Sequence, residues 1–254
     1  MRILLTNDDG IASPGILLLA KALREAGHRV FLVAPDVNRS GSSHSIFFLS
    51  APCRLTEIEK DTWSCSGTPA DCIIVSLLGG IPEICISTDD KDQNKKNTPD
   101  LVLSGINTGA NLGTDIIYSG TAAAARQGSL YGIPSVALSL VENDNPWQWE
   151  TVIPYITENL SAIMGYWKAG SFVNVNFPNI KKKPYALVPV FHSIRYYNDR
   201  IVTFTADDDC KYCFAKPGKP DNTPEPGSDW AEILKDNAAI SVVMSEPAVL
   251  RNTG

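Results

Sequence analysis

The sequence predicts an α/β protein with a doubly wound, mostly parallel sheet and a C-terminal extension. Short apolar runs alternate with helical patterns over about the first 180 residues, which is typical of a parallel sheet built from βαβ units. The chain has 254 residues, of which 44% are hydrophobic and 20% charged, as expected for one globular domain with an appendage. The first apolar run, residues 2–6, leads straight into Asn7, Asp8, Asp9 and Gly10, so a buried strand ends in polar side chains.

Cap and turn residues mark the limits of the predicted elements. Ser13 caps a helix whose first residue is Pro14 and which ends at Gly27, so the first strand and a second strand at 29–33 complete a βαβ unit. Residues 46–66 are rich in β-formers and predict short strands or a hairpin beside the sheet. The remaining predictions are a turn and helix over 67–78, a polar loop over 88–99, strands at 101–103, 136–138 and 173–175, and a helix over 119–131.

The character of the sequence changes at about Lys181. Three consecutive lysines are followed by Pro184, aromatic clusters, and a stretch crowded with Pro and Gly over 216–227. We therefore predict a core over 1–180 and a C-terminal extension over 181–254 that packs on the core or on another subunit. An ordinary β-rich end to the same domain is the alternative.

Composition and charge argue against several classes of protein. The formal net charge of -6 is unsuited to the broad basic face that nucleic acids require, so no nucleic acid polymer is expected as a partner. Neither a signal peptide nor an apolar run long enough to span a bilayer is recognisable, which predicts a cytoplasmic protein without a membrane partner. The six cysteines are scattered, which favours reduced thiols. Only Cys210 and Cys213 have C-x-x-C spacing, which is not specific without a second Cys or His pair.

Adjacent carboxylates at the tip of the first strand are the most informative feature of the chain. Ligands of open α/β sheets bind outside the carboxyl ends of the strands, so Asp8 and Asp9 are expected at the mouth of a crevice. Two neighbouring carboxylates repel each other unless a cation offsets them, which predicts a site for one divalent ion, Mg²⁺ or Mn²⁺. A hairpin turn is the alternative, but the cap and helix that begin at Ser13 argue against a returning strand.

Two further loops leave the carboxyl ends of predicted strands. The loop over 34–45 is rich in Ser and Gly; it either offers hydroxyl and amide groups to a phosphate or a metal, or is an ordinary solvated loop. The loop over 104–115 carries Asn107, a neutral oxygen ligand, and glycines that let the backbone approach a ligand closely. We expect both loops to face Asp8 and Asp9.

The start of the alanine-rich helix is a candidate phosphate site. Its free N–H groups, the helix dipole and two hydroxyls predict a cradle at Ser119, Gly120 and Thr121, and simple N-capping by Ser119 is compatible with it. Neither a Walker A sequence nor a strand-to-helix G-x-G-x-x-G is present. Standard nucleoside triphosphate and dinucleotide sites are therefore disfavoured.

Together these motifs resemble those of the SurE family, the stationary-phase survival protein. The resemblance covers residues from about 1 to 175 in the expected order. It rests on Asn7-Asp8-Asp9-Gly10, Ala34-Pro35, Arg39-Ser40, His44-Ser45, Gly67-Thr68-Pro69-Ala70-Asp71, Ser104-Gly105-Ile106-Asn107, Gly109, Asn111, Gly113 and Tyr118-Ser119-Gly120-Thr121.

The resemblance implies a Rossmann-like core and a metal-dependent phosphatase, a 5′-nucleotidase, that hydrolyses nucleoside 5′-monophosphates. For some members it also implies activity on 3′-monophosphates and short polyphosphate. It places the metal ligands on Asp8, Asp9, Ser40 and Asn107. A homodimer or homotetramer, in which the C-terminal part reaches a neighbouring subunit, is implied as well.

The mechanism predicted from these residues is metal-assisted hydrolysis of a phosphomonoester. One divalent ion would bind a phosphate oxygen, the phosphate would lie near Asn107 and the start of the helix, and Asp8 or Asp9 would position and partly deprotonate the attacking water. His44 is either an acid for the leaving group or a surface or packing residue. Two other classes stay open: a non-catalytic nucleotide sensor, and a metal-dependent transferase or deacetylase, although such zinc enzymes usually add histidine ligands.

Overall fold

A computed structural model describes residues 1–86, 97–181, 186–206, 210–220 and 222–247. The loop predicted over 88–99 lies mostly outside these residues. The strands are β1 (Arg2–Thr6), β2 (Arg29–Pro35), β3 (Leu55–Glu59), β4 (Thr62–Cys65), β5 (Leu101–Thr108), β6 (Ser135–Val141), β7 (Ser171–Pro178), β8 (Leu187–Pro189), β9 (Arg200–Thr205), β10 (Lys211–Lys216) and β11 (Ala238–Met244). The α-helices are α1 (Pro14–Glu25), α2 (Pro69–Val75), α3 (Gly120–Leu130), α4 (Trp149–Met164) and α5 (Asp229–Ile233).

In the described part of the chain, nine strands form one central sheet in the order β3-β4-β2-β1-β5-β6-β7-β11-β8. The six strands from β4 to β7 in this order pair in parallel, while β3 and β11 run antiparallel to their inner neighbours β4 and β7. This arrangement confirms the predicted α/β class with a mostly parallel sheet. The irregular stretch predicted over 46–66 contains β3 and β4, which extend the sheet beyond β2.

Helices cover both faces of the sheet. On one face α1 and α4 bury Ile16, Leu19, Val152 and Ile156 against the strands, and on the other α2 and α3 do the same with Ile73 and Ala124. The chain moves outward from β1 to β2 on one side and from β5 to β6 on the other. The carboxyl ends of β1 and β5 therefore flank a topological switch point, which is where a ligand crevice opens in such sheets.

Local sequence explains how the helices begin. Ser13 stands at the cap position of α1 in extended conformation, but, against the prediction, its side chain makes no capping hydrogen bond. The missing N–H of Pro14 would have had no partner in the first turn. Thr68 and Asp71 form a capping box, in which each side chain accepts the other's backbone N–H. The Ser119 hydroxyl accepts from the N–H of Ala122 at 2.9 Å, so α3 is capped by its own sequence.

Part of the predicted C-terminal extension belongs to the central sheet. Strand β11 pairs with β7 along most of its length, and β8 pairs with β11. The β9–β10 hairpin, in contrast, forms a separate two-stranded sheet whose residues are all exposed. The division into 1–180 and 181–254 stays a prediction, and within the second part the hairpin is the segment that stands apart.

Candidate active site

The polar loops that follow β1, β2 and β5 meet beside the start of α3. They border a cavity of about 750 Å³ whose lining includes Asp8, Ser40, Asn107 and Ser119. These four residues come from four separate segments of the chain. The structure therefore brings three of the four predicted metal ligands, Asp8, Ser40 and Asn107, and two of the predicted phosphate-binding residues, Asn107 and Ser119, around a common space.

Asp8 is held by the first turn of α3. Its Oδ2 accepts from the Thr121 N–H at 3.1 Å, and its Oδ1 accepts from the Thr121 hydroxyl. A Cβ on Gly120 would lie 2.9 Å from the Cβ of Asp8, so this close approach requires glycine. Asp8 is only 3% exposed, and burial raises the pKa of its carboxyl group, as does the charge of Asp9, while the Thr121 hydroxyl lowers it.

Asp9 is directed toward the neighbouring strand. Its two carboxylate oxygens accept from the backbone N–H and the hydroxyl of Thr108, both at 3.0 Å. Thr108, rather than Asp9, is among the described residues that line the cavity. The two adjacent carboxylates are thus oriented by two different threonines, one on α3 and one on β5.

The loop that carries Ser40 is fastened at several points. The Arg39 N–H donates to the Asp8 carbonyl at 2.7 Å, and the Arg39 guanidinium donates to the Ser66 carbonyl at 2.7 Å. Ser43 donates from its hydroxyl to the Ile117 carbonyl at 2.7 Å. These bonds connect the loop to the residues that follow β1 and β4 and to the turn before α3. The position of Ser40 is therefore fixed by the bonds of Arg39 and Ser43.

Asn107 lies near the end of β5, where the pairing register with β6 shifts between Ser104 and Asn107. Its amide nitrogen donates to the Gly109 carbonyl at 3.0 Å, which leaves the carboxamide oxygen as the atom suited to a cation. Gly105 has φ +133°, and a Cβ there would lie 2.3 Å from the Leu138 carbonyl oxygen. Glycine at this position therefore permits the course of β5 that carries Asn107 to the cavity.

The start of α3 confirms one of the two roles that the sequence predicted for it, the capping by Ser119. Ser119 both caps the helix and borders the cavity. The N–H of Thr121 is already engaged by Asp8, so the geometry gives Thr121 the role of orienting that carboxylate. The phosphate-binding role of Ser119, Gly120 and Thr121 stays a prediction.

The donor set suits a hard divalent cation. Within the described ranges no three or more His, Cys, Asp and Glu side chains are grouped to hold a metal, and the candidate set contains two carboxylates completed by a hydroxyl and a carboxamide. Oxygen ligands of this kind are the ones that Mg²⁺ and Mn²⁺ prefer. Burial raises the pKa of Asp8 because it disfavours the charged carboxylate, and a divalent ion bound beside it would favour that charged form. The residues present therefore fit the predicted ion.

One wall of the cavity comes from a segment that sequence reasoning did not assign to the site. Arg195 forms an ion pair with Asp115, and the Tyr197 hydroxyl donates to the same carboxylate at 2.7 Å. The Arg195 guanidinium lies 5.3 Å from the Tyr197 ring centroid and 5.2 Å from that of Trp230. Only the basic and aromatic composition of 191–199 could have indicated this wall.

Other predicted features lie away from the cavity. His44 donates from Nε2 to the Gln127 Oε1 at 2.8 Å and borders a separate cavity of about 440 Å³, which favours the packing role over that of an acid. Cys210 and Cys213 are exposed on the β9–β10 hairpin. Among the helices that the structure describes, none has the length and apolar character needed to cross a membrane.

Comparison with known proteins gives consistent matches. The family model described as "Survival protein SurE" matches residues 3–197. The chain is 43% identical over 182 residues to "5'-nucleotidase SurE" of Xanthomonas campestris pv. campestris (strain B100) and equally to that of Stenotrophomonas maltophilia (strain K279a). Each alignment covers 71% of this chain but only 64% of the relative's length.

A solved structure supports the same assignment over a longer range. The crystal structure of the Sure protein from Aquifex aeolicus superposes with a TM-score of 0.78 at 30% sequence identity. The superposition covers 98% of this chain and 95% of that one. The likeness therefore includes the C-terminal part, which lies beyond the residues matched by the family model.

Proposed function

This chain belongs to the SurE family, and from that membership we propose that it is a 5′-nucleotidase, a metal-dependent phosphomonoesterase that converts nucleoside 5′-monophosphates to nucleoside and phosphate. The observation that carries the proposal is the single cavity bordered by Asp8, Ser40, Asn107 and the start of α3. That cavity combines oxygen ligands for a cation with a helix N-terminus for an anion. The names of the relatives at 43% identity agree with it.

The residues divide the chemistry between them. Asp8, Asp9, Ser40 and Asn107 would hold one Mg²⁺ or Mn²⁺ ion. When bound, such an ion supplies positive charge that attracts a phosphate oxygen and offsets the charge developing as the ester bond breaks. The start of α3 would orient the remaining phosphate oxygens through its dipole and through the N–H groups that Asp8 and the Ser119 hydroxyl do not already engage.

A carboxylate must also direct the attacking water. Thr121 fixes the orientation of Asp8, and Thr108 fixes that of Asp9. Since Asp8 borders the cavity and Asp9 faces Thr108, we assign to Asp8 the role of accepting the proton from water. The leaving alcohol would then depart into the remainder of the same cavity.

The test is phosphate release from nucleoside 5′- and 3′-monophosphates and short polyphosphate in the presence of Mg²⁺, Mn²⁺ or EDTA. We expect release from 5′-monophosphates that requires metal and that Asp8→Asn abolishes. Asp236→Asn is a matched control, because Asp236 is an exposed residue in a left-handed turn where asparagine is also accommodated. Nucleotide binding without phosphate release, under any metal, would support the sensor instead and overturn the proposal.

We also propose that the protein assembles as a homodimer or homotetramer through the β9–β10 hairpin. An isolated two-stranded ribbon is only marginally stable in water, so this one is expected to pack against another surface. Its exposed face carries Phe204, Tyr212 and Phe214 in a stacked row. A contiguous exposed aromatic row of this kind is typical of a protein–protein contact. A second copy of the chain is the partner that the family resemblance implies.

A further inference from the structure

Asn111, on the loop after β5, is held by an unusual number of buried polar bonds. Its N–H donates to the Asn176 Oδ1 at 2.8 Å, and its carbonyl accepts from Asn174 at 3.0 Å and from Asn176 at 2.9 Å. Its own side-chain amide nitrogen donates to the Ser139 hydroxyl at 2.8 Å. Main chain and side chain are therefore both fixed in one orientation.

The polar side chains that hold Asn111 are buried, and their burial costs free energy. Asn174, Asn176 and Ser139 lie inside the sheet on β7 and β6, with almost no exposed surface. The carboxamide oxygen of Asn174 even lacks a hydrogen-bond partner among the described residues. Buried polar groups of this kind destabilise a core unless they satisfy one another, and a network of them imposes a single geometry. Here the network imposes its geometry on Asn111.

The atom of Asn111 that remains available is Oδ1. Asn111 is 4% exposed and borders the candidate catalytic cavity, and no described residue donates a hydrogen bond to its oxygen. A fixed amide oxygen at a cavity wall is a hydrogen-bond acceptor that is oriented before a ligand arrives. It suits a hydroxyl or amine of a bound molecule.

Strand order shows which part of a substrate Asn111 would meet. Asp8 follows β1 and Asn107 lies on β5, whereas the residues that hold Asn111 lie on β6 and β7. Adjacent strands are about 4.8 Å apart, so Asn111 lies roughly 10 Å from the β1 tip in the direction across the sheet. A phosphate held beside Asp8 therefore lies on the β1 side of Asn111.

The cavity also extends in the direction of Asn111. Thr114, Asp115, Arg195 and Tyr197 border it on that side, whereas the loop after β2 contributes Ser40 and Gly41. An alcohol esterified to the phosphate therefore has room to lie on the side of Asn111. In a nucleoside monophosphate, the sugar is the hydroxyl-bearing group that follows the phosphate.

We propose that Asn111 is a specificity-determining residue, and that its carboxamide oxygen accepts a hydrogen bond from a hydroxyl of the substrate's ribose cis-diol. This inference rests on the proposed nucleotidase function. With this hydrogen bond the enzyme would hydrolyse ribonucleotides in preference to deoxyribonucleotides. Ser139, Asn174 and Asn176 are positioning residues that hold the acceptor in place.

The experiment compares kcat/KM for AMP, 2′-deoxy-AMP, 3′-deoxy-AMP and p-nitrophenyl phosphate with Mn²⁺ present. The wild type should prefer AMP over at least one deoxy analogue by about tenfold, the effect of one hydrogen bond to an oriented acceptor. The preference should be carried mainly by KM, because the bond exists before and during the chemical step. Asn111→Leu should reduce the ratio to near one, whereas Asn111→Asp, which keeps an acceptor oxygen, should retain it.

Matched variants and substrates separate the possible outcomes. Asn145→Ala removes an exposed asparagine side chain and should leave the ratio at its wild-type value. If Asn111→Leu fails to fold, Ser139→Ala tests the same point by releasing the side-chain amide, and should lower the ratio. Equal ratios in wild type and Asn111→Leu, or no ribose preference in the wild type, would overturn the inference.

Failure of the proposed function would look different. No phosphate would be released from any of the four substrates, including p-nitrophenyl phosphate, which has no ribose. In that case calorimetry would measure the dissociation constants of AMP and its deoxy analogues in the same variants. The wild type should bind AMP more tightly than a deoxy analogue, and Asn111→Leu should lose this preference.

Discussion

Thr121 is the residue on which the orientation of Asp8 depends, because it supplies two donors to one carboxylate. Thr121→Val removes the hydroxyl and keeps the shape. We expect the affinity for Mn²⁺ to fall by about 10- to 100-fold, as is usual when a partner of a metal ligand is lost. Calorimetric titration with Mn²⁺ measures this directly, without reference to turnover.

Thr157→Val provides the control for that substitution. The Thr157 hydroxyl donates to carbonyls of its own helix α4, at 3.2 Å to Ile153, so its loss should leave Mn²⁺ affinity unchanged. Wild-type affinity in Thr121→Val would show that the helix amide alone is enough to orient Asp8. The proposed role of the hydroxyl would then be wrong.

Gly113 marks where the loop beside the cavity touches the C-terminal segment. Its φ is +51°, and a Cβ there would lie 1.9 Å from the Ser193 carbonyl oxygen, whereas Gly132 has φ +74° and open space around it. Gly132→Ala should therefore cost only backbone strain, about 1 kcal/mol, while Gly113→Ala should cost about 3 kcal/mol or more because main chain must move.

Urea-induced unfolding of the two glycine variants measures the difference. Both substitutions place an L-residue in left-handed backbone, so both variants lose unfolding free energy through the same backbone strain. The difference between their two losses therefore measures the contact between Gly113 and Ser193. Equal losses of unfolding free energy would mean that this contact does not exist in solution.

Among the secondary-structure elements, those with a local signature were predictable. Strands β1, β2, β5, β6 and β7 are buried on both faces; apolar runs indicated the first four, and the valines on either side of Asn174 indicated β7. Helix α4 gave no such signal, because it begins without a side-chain cap and contains Pro154, which ordinarily interrupts a helix. Strand β11 pairs with β7, about 60 residues earlier in the sequence, and a pairing over that separation has no local signature.

The same distinction applies to the site. Asp8, Ser40 and Asn107 follow strands that are neighbours in the sheet, so a rule about parallel strand ends was enough to predict that they meet. Arg195 and Tyr197 reach the cavity from a segment without helical or strand periodicity. Their position depends on Asp115 and Trp230, contacts that only the folded chain defines.

The β9–β10 hairpin carries the prediction about assembly. Phe204 is 53% exposed and stacks on Tyr212 at 5.1 Å between ring centroids, so Phe204→Asp places a charge in the aromatic row without disturbing the core. We expect the oligomer to dissociate toward monomer, because a buried unpaired charge is costly at an interface. Light scattering coupled to size-exclusion chromatography reports the mass.

An exposed apolar residue elsewhere gives the matched control. Ile58 lies on β3, an edge strand of the central sheet to which the hairpin does not belong, and is 57% exposed; Ile58→Asp should leave the mass unchanged. Dissociation by Ile58→Asp but not by Phe204→Asp would move the interface to the β3 edge and contradict the proposed role of the hairpin.

For the whole molecule, the question is whether residues 1–180 fold without the rest. Strand β11 buries Ala238, Ala239 and Ile240 against the sheet, and the Asp229 carboxylate accepts from the N–H groups of Gly113 and Ser193. A chain ending at residue 180 loses both contributions and exposes the edge of β7. We expect it to lack a cooperative thermal transition by circular dichroism.

Replacement of 199–218 by a short Gly-Ser linker tests the opposite case, because it removes the β9–β10 hairpin and leaves β11 and Asp229 in place. We expect cooperative unfolding to persist, since every residue of β9 and β10 is exposed. The same deletion removes Asp199, Pro217 and Gly218 from the cavity wall, so KM for AMP should rise while metal binding at Asp8 is retained.

A cooperative transition in the chain ending at 180, at the temperature of the full chain, would instead make residue 180 a true domain boundary and reduce β11 to an accessory strand.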